Sequence, residues 1–442
     1  MASGEAAARL EEAKALQKAG EPRAAIAAYA RAMALGAPAV DVNLQLGVLH
    51  NELGERDAAA SYLQQVLAQQ PRHEDALCML GTVMYDLGRF DEAARYLEQA
   101  LAVRPAFPEA SFNLGLARFE KGDLASAAEC ITACYLHNRG EATPSFAPPD
   151  MAVNRTKLRH DCEQIEYLLS LGRLPASFAD VLKDYRALLA AIPPGLAPSM
   201  FGQFDAKRHP LVAKTYKRPF HLDRNPPPAG PIINPALDAA ELGRRYQEAQ
   251  PNVIAVDDLV TPEALAALRR FCRESTIWND IKVGYLGAYF FDGFCSELLL
   301  RLAYELRERL PGIIRGLPLQ MMWGYKCDAA LTALATHADA AAVNVNFWIT
   351  EDDANLDPAG GGLLVHTCDA PADWGFNKYN YDAAAIERYL AEAGSQPLRI
   401  PYRANRAAIF DSDLFHASDS PRFREGYLNR RINITLLYGS RQ

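Results

Sequence analysis

Small residues that recur every 34 positions constrain this chain more than anything else in it. Gly47, Gly81 and Gly115 form one series, Gly20, Gly54, Gly88 and Gly122 a second, and Ala25, Ala59, Ala93 and Ala127 a third. Tyr62 and Tyr96 keep the same interval, as do Pro71 and Pro105. Self-similarity at a fixed period means one supersecondary unit repeated head to tail. The best-preserved unit, ALCMLGTVMYDLGRFDEAARYLEQALAVRP (76–105), carries two apolar stripes at helical spacing. Gly81, Ala93 and Ala100 sit where two helices must approach closely. Gly88 suits the turn between them, and Pro105 ends the unit because it cannot continue a helix.

In period and residue types this segment, about residues 7–137 in roughly four units with the first degenerate, resembles the tetratricopeptide repeat. The resemblance implies helix pairs stacked into a solenoid with a concave face that binds a polypeptide. Asn43, Asn51, Tyr85 and Asn113 are candidates for lining that groove. The other readings are that they pack or solvate the array, or that the array joins two copies into a homodimer.

Composition excludes several classes. Of 442 residues half are apolar, and the formal net charge is −8. No basic stripe suggests nucleic acid as a partner. The first twenty residues carry charges throughout and lack the apolar core of a secretory signal. No run of about 18 apolar residues offers a membrane span. The eight cysteines are scattered; only Cys130 and Cys134 lie close together, and no Cys-x-x-Cys pair suggests zinc. They read as reduced thiols of a cytoplasmic protein.

Residues 138–250 read as a helical cap followed by a connector. RGEATPSFAPPD (139–150) breaks the repeat, RHDCEQIEYLLSLGRLPASFADVLKDYRALLAAI supplies two further helices, and the proline-dense stretch from about 195 has little periodicity. His160, His209 and His221 are expected to be surface or capping histidines.

From about residue 251 the pattern changes again. NVIAVDDLV alternates like a strand, and TPEALAALRRFCREST is a helix with Thr261 as N-cap. CSELLLRLAYELRERLPGI is another amphipathic helix. The segments LQMMWGYKC, AVNVNFWIT, GGLLVHTC, LRIPYRAN, RAAIFDSD and RRINITLLYG are short, turn-bounded and rich in β-branched and aromatic residues. Without helices of crossover length between them, the sheet should be antiparallel, as in a sandwich or jelly roll. One helix, YDAAAIERYLAEAG, interrupts it.

ATHADAAAVNVNFWIT (335–350) carries the chemistry. His337 and Asp339 alternate, so an extended backbone points both to one face. His416 follows 79 residues later, after RAAIFDSDLF. Two imidazoles and one carboxylate make a facial triad, which leaves coordination positions open and suits non-haem Fe(II). On the last strand Arg431, Asn433 and Thr435 share a polar face, and a buried arginine there needs an anionic partner. Asn344, Asn346 and Trp348 share a face of the strand after His337 and Asp339. That face is either a binding surface or the solvated side of the sheet.

The order His-x-Asp, glycine-rich strand, distal His, then Arg on the last strand resembles the 2-oxoglutarate- and Fe(II)-dependent dioxygenases, most of all the prolyl-4-hydroxylase-like branch. The likeness spans roughly residues 251–440 and rests on NVIAVDDLV, THADAAAVNVNFWIT, AGGGLLVHT and AAIFDSDLFHAS. It implies a multidomain α + β chain. An α-helical repeat solenoid (1–137) and the cap and connector (138–250) would precede a double-stranded β-helix, jelly-roll or cupin-like oxygenase domain (251–442). By this resemblance His337, Asp339 and His416 bind Fe(II), Arg431 holds the distal carboxylate of 2-oxoglutarate, and O2 is the second cosubstrate. The family places its basic residue about ten positions past the distal histidine, and here the gap is 15, because DSPRFREGY lengthens the loop. Arg430 and Arg424 therefore compete for the role. Trp348 stands where relatives often have a tyrosine that contacts the cosubstrate; Tyr325 and Asn346 are further candidates, and His366 and Asn344 are candidate substrate contacts. Asp411 and Asp413 are read as orienting His416 or forming a turn, and DWGFNKYNYD (373–382) as a lid or a surface loop. The function implied is hydroxylation of a C–H bond in a protein or peptide recruited by the repeats. A small-metabolite oxygenase with dimerising repeats, and an inactive interaction scaffold, are the alternatives.

Overall fold

The computed structural model describes residues 4–140, 152–193, 202–203, 205–328 and 335–441. Most of the repeat-breaking loop therefore lies outside the described residues. The chain forms two compact units, Met1–Asn138 and Arg139–Gln442.

The first unit is four helix pairs: α1 (Gly4–Lys18) with α2 (Pro22–Ala34), α3 (Ala39–Glu52) with α4 (Arg56–Gln69), α5 (Glu74–Asp86) with α6 (Phe90–Val103), and α7 (Pro108–Glu120) with α8 (Leu124–Arg139). Both glycine series have a physical cause. Gly20, Gly54, Gly88 and Gly122 join the helices of each pair at φ between +72° and +78°, a region closed to most side chains. Gly81 needs its missing side chain for space, because a Cβ there would lie 2.6 Å from Cγ of Leu97. Ala25, Ala59, Ala93 and Ala127 are fully buried at the same contacts. The expected groove residues mostly serve the array itself. Asn43 is buried and donates to Gln65 Oε1 of α4, Asn113 donates to Thr82 of α5, and Tyr85 packs on Phe90.

The second unit begins with a two-residue ladder, β1 (Ala152–Val153) against β2 (Gly202–Gln203), and the helices α9 (Arg155–Ser170) and α10 (Phe178–Ala191). These helices, expected as a cap on the repeats, share this unit with the sheets. Gln164 of α9 donates to the carbonyls of Arg273 and Ser275. His160 is not at the surface either. It is fully buried, with Nδ1 3.1 Å from Asp161 Oδ1 and Nε2 3.3 Å from Nζ of Lys326. The connector also holds a helix the sequence reading missed, Ala239–Glu248, capped by Asp238.

Ten strands follow: β3 (Val253–Val256), β4 (Asp280–Lys282), β5 (Tyr285–Tyr289), β6 (Leu319–Cys327), β7 (Val343–Trp348), β8 (Leu363–Asp369), β9 (Leu398–Ile400), β10 (Ala407–Asp411), β11 (Leu414–Ser418) and β12 (Ile432–Tyr438). They form two antiparallel sheets, of order β3-β10-β7-β12-β6-β5-β4 and β11-β8-β9. The sheets share one core, in which Trp348, Ala408 and Phe410 of the larger meet Leu363, Val365 and Leu414 of the smaller. The opposite face of the larger sheet packs on the helix Glu297–Arg309 and the segment before it: a Cβ on Gly324 would strike Phe294, and Tyr438 donates to the carbonyl of Ala303. The β4–β5 hairpin leaves little alternation in the residues: its strands are short, Gly284 lies in the turn and Gly287 within β5.

Candidate metal centre

Register alone places the three candidate ligands on one face. His337 and His416 are a cross-strand pair: each backbone N–H donates to the other's carbonyl, at 3.0 and 2.8 Å. Side chains of such a pair stand side by side, and the two rings lie 4.5 Å apart. Asp339, two residues after His337, returns to the same side. His416 also stands opposite Val365 of β8, which faces the core, so the trio points between the sheets. Ligand-capable atoms of His337, Asp339 and His416 all lie within 4.8 Å of one another. Nε2 of His416 is 3.4 Å from Asp339 Oδ2, and Nε2 of His337 is 3.9 Å from Oδ1.

Hydrogen bonding fixes which nitrogens are available. Nδ1 of His337 sits 2.9 Å from the carbonyl of Ala335, and Nδ1 of His416 sits 3.1 Å from that of Leu414. A carbonyl only accepts, so Nδ1 carries the proton and Nε2 keeps a lone pair turned toward the centre. Burial lowers the pKa of His337, His416 lowers it further, and Asp339 opposes them; the ring is held neutral. Burial alone would raise the pKa of Asp339, but the neighbouring His416, then His337 and the Asn344 amide, outweigh that and hold it below the usual carboxylate value. Imidazole nitrogens and a carboxylate are what a divalent first-row cation requires.

The ligand turn is clamped from two sides. Asn344 donates to Asp339 Oδ2 at 2.6 Å, and Asn346 donates to Asn344 at 2.9 Å. Thr435 Oγ1 donates to Asn346 Oδ1 at 3.4 Å, and Asn433 donates to Thr435. Asn344 and Asn346 are buried, so their face is not the solvated side of the sheet. On the other side Ala338, between the first two ligands, donates to the carbonyl of Tyr379 and accepts from Asn380 Nδ2. The segment 373–382 is thus partly the helix Phe376–Tyr381 packed on the ligand turn. The sequence reading missed this clamp, because nothing in Asn380 marks its partner 42 residues away.

Arg431 lies at the far end of the same interior face. Its position follows from β12, where Asn433 opposes both Tyr325 and Trp348, and Thr435 opposes Trp323 and Asn346. The guanidinium is 2% exposed. Nε donates to the carbonyl of Gly361 and Nη2 to that of Gly362, while Nη1 is 3.8 Å from Cys327 Sγ and Cζ is 5.8 Å from the Trp348 ring. No carboxylate among the described residues pairs with it. Buried charge without a counter-ion costs several kcal/mol, and the carbonyls of Gly361 and Gly362 are the oxygens that meet it here. Trp348 Nε1 and Asn433 Oδ1, on the same face, are buried without hydrogen-bond partners among the described residues.

Other candidates sit elsewhere. Arg430 points to the opposite face and pairs with Glu163 of α9, and Arg424 is exposed beside Asp353. Tyr325 faces the interior, 3.4 Å from the Tyr289 hydroxyl, and burial with its tyrosine neighbours pushes its pKa well up. His366 does not join the site. Because Val365 faces in, its neighbour faces out, 3.4 Å from Ser395 Oγ. Asp411 and Asp413 do not orient His416, whose Nδ1 is already engaged. Asp411 accepts from the backbone of Asp413, and Asp413 pairs with Arg441.

Among the described residues no helix is long and apolar enough to cross a membrane. Two family models for the tetratricopeptide repeat match, over residues 50–99 and 78–133. No curated protein matches the chain. Among solved structures, MamA is 25% identical over 30% of this chain and 78% of its own, with a TM-score of 0.29. MamA from Desulfovibrio magneticus RS-1 is 21% identical over 43% and 92%, at 0.30. YrrB, described as a TPR protein with an unusual peptide-binding site, is 23% identical over 31% and 71%, at 0.27. The family matches and the observed helix pairs agree: the N-terminal unit is a tetratricopeptide-repeat solenoid.

Proposed function

We propose that the second unit is a 2-oxoglutarate- and Fe(II)-dependent dioxygenase, and that it hydroxylates a C–H bond of a polypeptide held by the repeats. The observation that carries this reading is the convergence of His337, Asp339 and His416, with both Nε2 lone pairs turned to a shared point. Strand connectivity supports it. From β6 onward the chain passes to the ligand turn beside β11, then to β7, back to β8 and β9, across to β10, to β11 and finally to β12. A jelly roll requires such repeated crossing between two sheets, and this supports the reading.

When bound, Fe(II) supplies open coordination positions at which a 2-oxo acid and O2 react. His337, Asp339 and His416 would hold it, and the Asn344 amide fixes the orientation of the Asp339 carboxylate. Arg431 would take the distal carboxylate of the cosubstrate. Its guanidinium is tied to Gly362, three residues before Val365, which stands opposite His416. At the usual rise per residue that is roughly 10 Å along the strand, a span suited to a short dicarboxylate. Trp348 Nε1 offers a donor on the same wall, and the apolar side chains around it exclude water. A polypeptide substrate is favoured because stacked helical repeats present an extended binding surface.

Iron-loaded protein incubated with 2-oxoglutarate should form succinate. His337→Ala should abolish that while leaving the circular dichroism spectrum intact. No succinate from the parent, or an equal amount from the variant, refutes the reading and leaves a repeat scaffold. Succinate that rises with a small metabolite and never with a polypeptide captured by the repeats would move the substrate to the small-molecule class.

A further inference from the structure

The loop between His416 and Arg431 forms part of a cavity of about 290 Å³. Residues between Pro421 and Gly426 form one wall, α9 another, and the end of β6 and the approach to β12 the rest. Arg159, Arg424, Arg430 and Arg431 face Glu163, Asp328 and Glu425, so the lining carries one positive charge in excess. Arg430 is the informative member. It is 7% exposed, and its Nε is satisfied by Glu163 Oε2 at 2.9 Å. Its Nη1 is buried and makes no hydrogen bond among the described residues. The nearest acid, Asp328, lies 3.9 Å away and is already bonded to Arg159. A buried guanidinium N–H without an acceptor is costly, and planar guanidinium donors match oxyanions. Crowding of cations is visible at Arg159, whose pKa is lowered by burial and then by Arg430.

We infer that this cavity binds a small oxyanion, a phosphate or a carboxylate, with one oxygen accepting from Nη1 of Arg430 and with Arg159 and Arg424 flanking it. The cavity shares Arg431 with the proposed cosubstrate site, but the anion is assigned to Nη1 of Arg430, on the other face of the strand, and none of His337, Asp339, His416 or the amides bonded to them lines the cavity.

The test is calorimetric titration of the full chain in chelator with inorganic phosphate and, separately, with acetate. One of the two should bind with a single site, and which one binds identifies the source of the anion. Arg424→Gln, a change at a half-exposed side chain, should weaken that binding about tenfold. Arg430→Lys, which keeps the charge and loses the fork, should weaken it further. His337→Ala should bind as the parent does. Failure of both anions to bind below about 10 mM overturns the proposal, as does binding that Arg424→Gln leaves unchanged or that His337→Ala removes.

Discussion

The two units are stabilised by contacts of very different reach. In the repeats a decisive contact joins Gly81 to Leu97 on the neighbouring helix of the same pair. In the second unit the decisive bonds join residues far apart in the chain: Arg431 to Gly361 across 70 residues, Lys326 to His160 across 166, Arg430 to Glu163 across 267. Local contacts repeat, and repetition can be seen in a sequence. Distant ones occur once, and only the chemistry of their members hints at them. This has a consequence for mutation. Damage to one repeat should stay near that repeat, whereas damage to the sheet unit should reach the candidate site.

The largest expected effect lies at the site. If the proposed function holds, Asp339→Ala should remove succinate formation entirely and shift the melting temperature by no more than a few degrees, because its carboxylate faces the two imidazoles and the Asn344 amide and not the apolar core. Activity and melting measured on the same sample would separate the two. Loss of the cooperative melt would make Asp339 a folding residue and erase the contrast between site and scaffold.

Next comes the repeat unit. Gly81→Val puts methyl groups against Leu97 and against the carbonyl of Ala93, 3.2 Å from an ideal Cβ. Overpacking of this kind costs about 3 kcal/mol. Thermal unfolding should show the array destabilised while succinate formation per folded sheet unit is unchanged. Gly88→Ala has open space around it and suffers only from its φ of +72°, so it should cost about 1 kcal/mol. If the two variants were equally damaging, the distinction drawn between the two glycine series would be wrong.

These predictions also mark how far the residues themselves could be read. Helix pairs, turns and close contacts of the repeats follow from period and residue size. In the second unit the strands from 319 onward are visible as alternation, and so is the shared face of Arg431, Asn433 and Thr435. What could not be read is where faces meet. The role of Asn344 depends on a turn that carries Asp339 back over β7. The misplacement of His366 came from not knowing which of two alternating faces β8 turns inward, a choice fixed by its pairing with β11. His160 looked like a surface residue because its partners, Lys326 and Asp161, could equally have been solvated.

Asn344→Ala tests the middle range. Residues that orient a metal ligand are worth about 10- to 100-fold in metal affinity. Titration of the apo protein with Fe(II) or Mn(II) should show a loss of that size, and Asn344→Asp, which repels Asp339, should be worse than alanine. Unchanged affinity in both would confine Asn344 to packing.

The smallest effect, absent at neutral pH, belongs to His160. Burial, and then Lys326, Arg430 and Lys157, hold its pKa well below the ordinary value, and Asp161 accepts from its Nδ1. The unfolded chain takes up a proton near pH 6.5, and the folded one does not until lower pH. Between those two values the unfolded state binds more protons, so stability falls as pH falls through that window. His160→Gln cannot titrate, and its stability should fall less between pH 7 and pH 5. Urea midpoints of both proteins at the two pH values measure the difference. Parallel slopes would mean that folding does not shift the proton affinity of His160. The cations beside the ring, Lys326, Arg430 and Lys157, would then not act on it, and the burial of this cluster would leave its proton affinity unchanged.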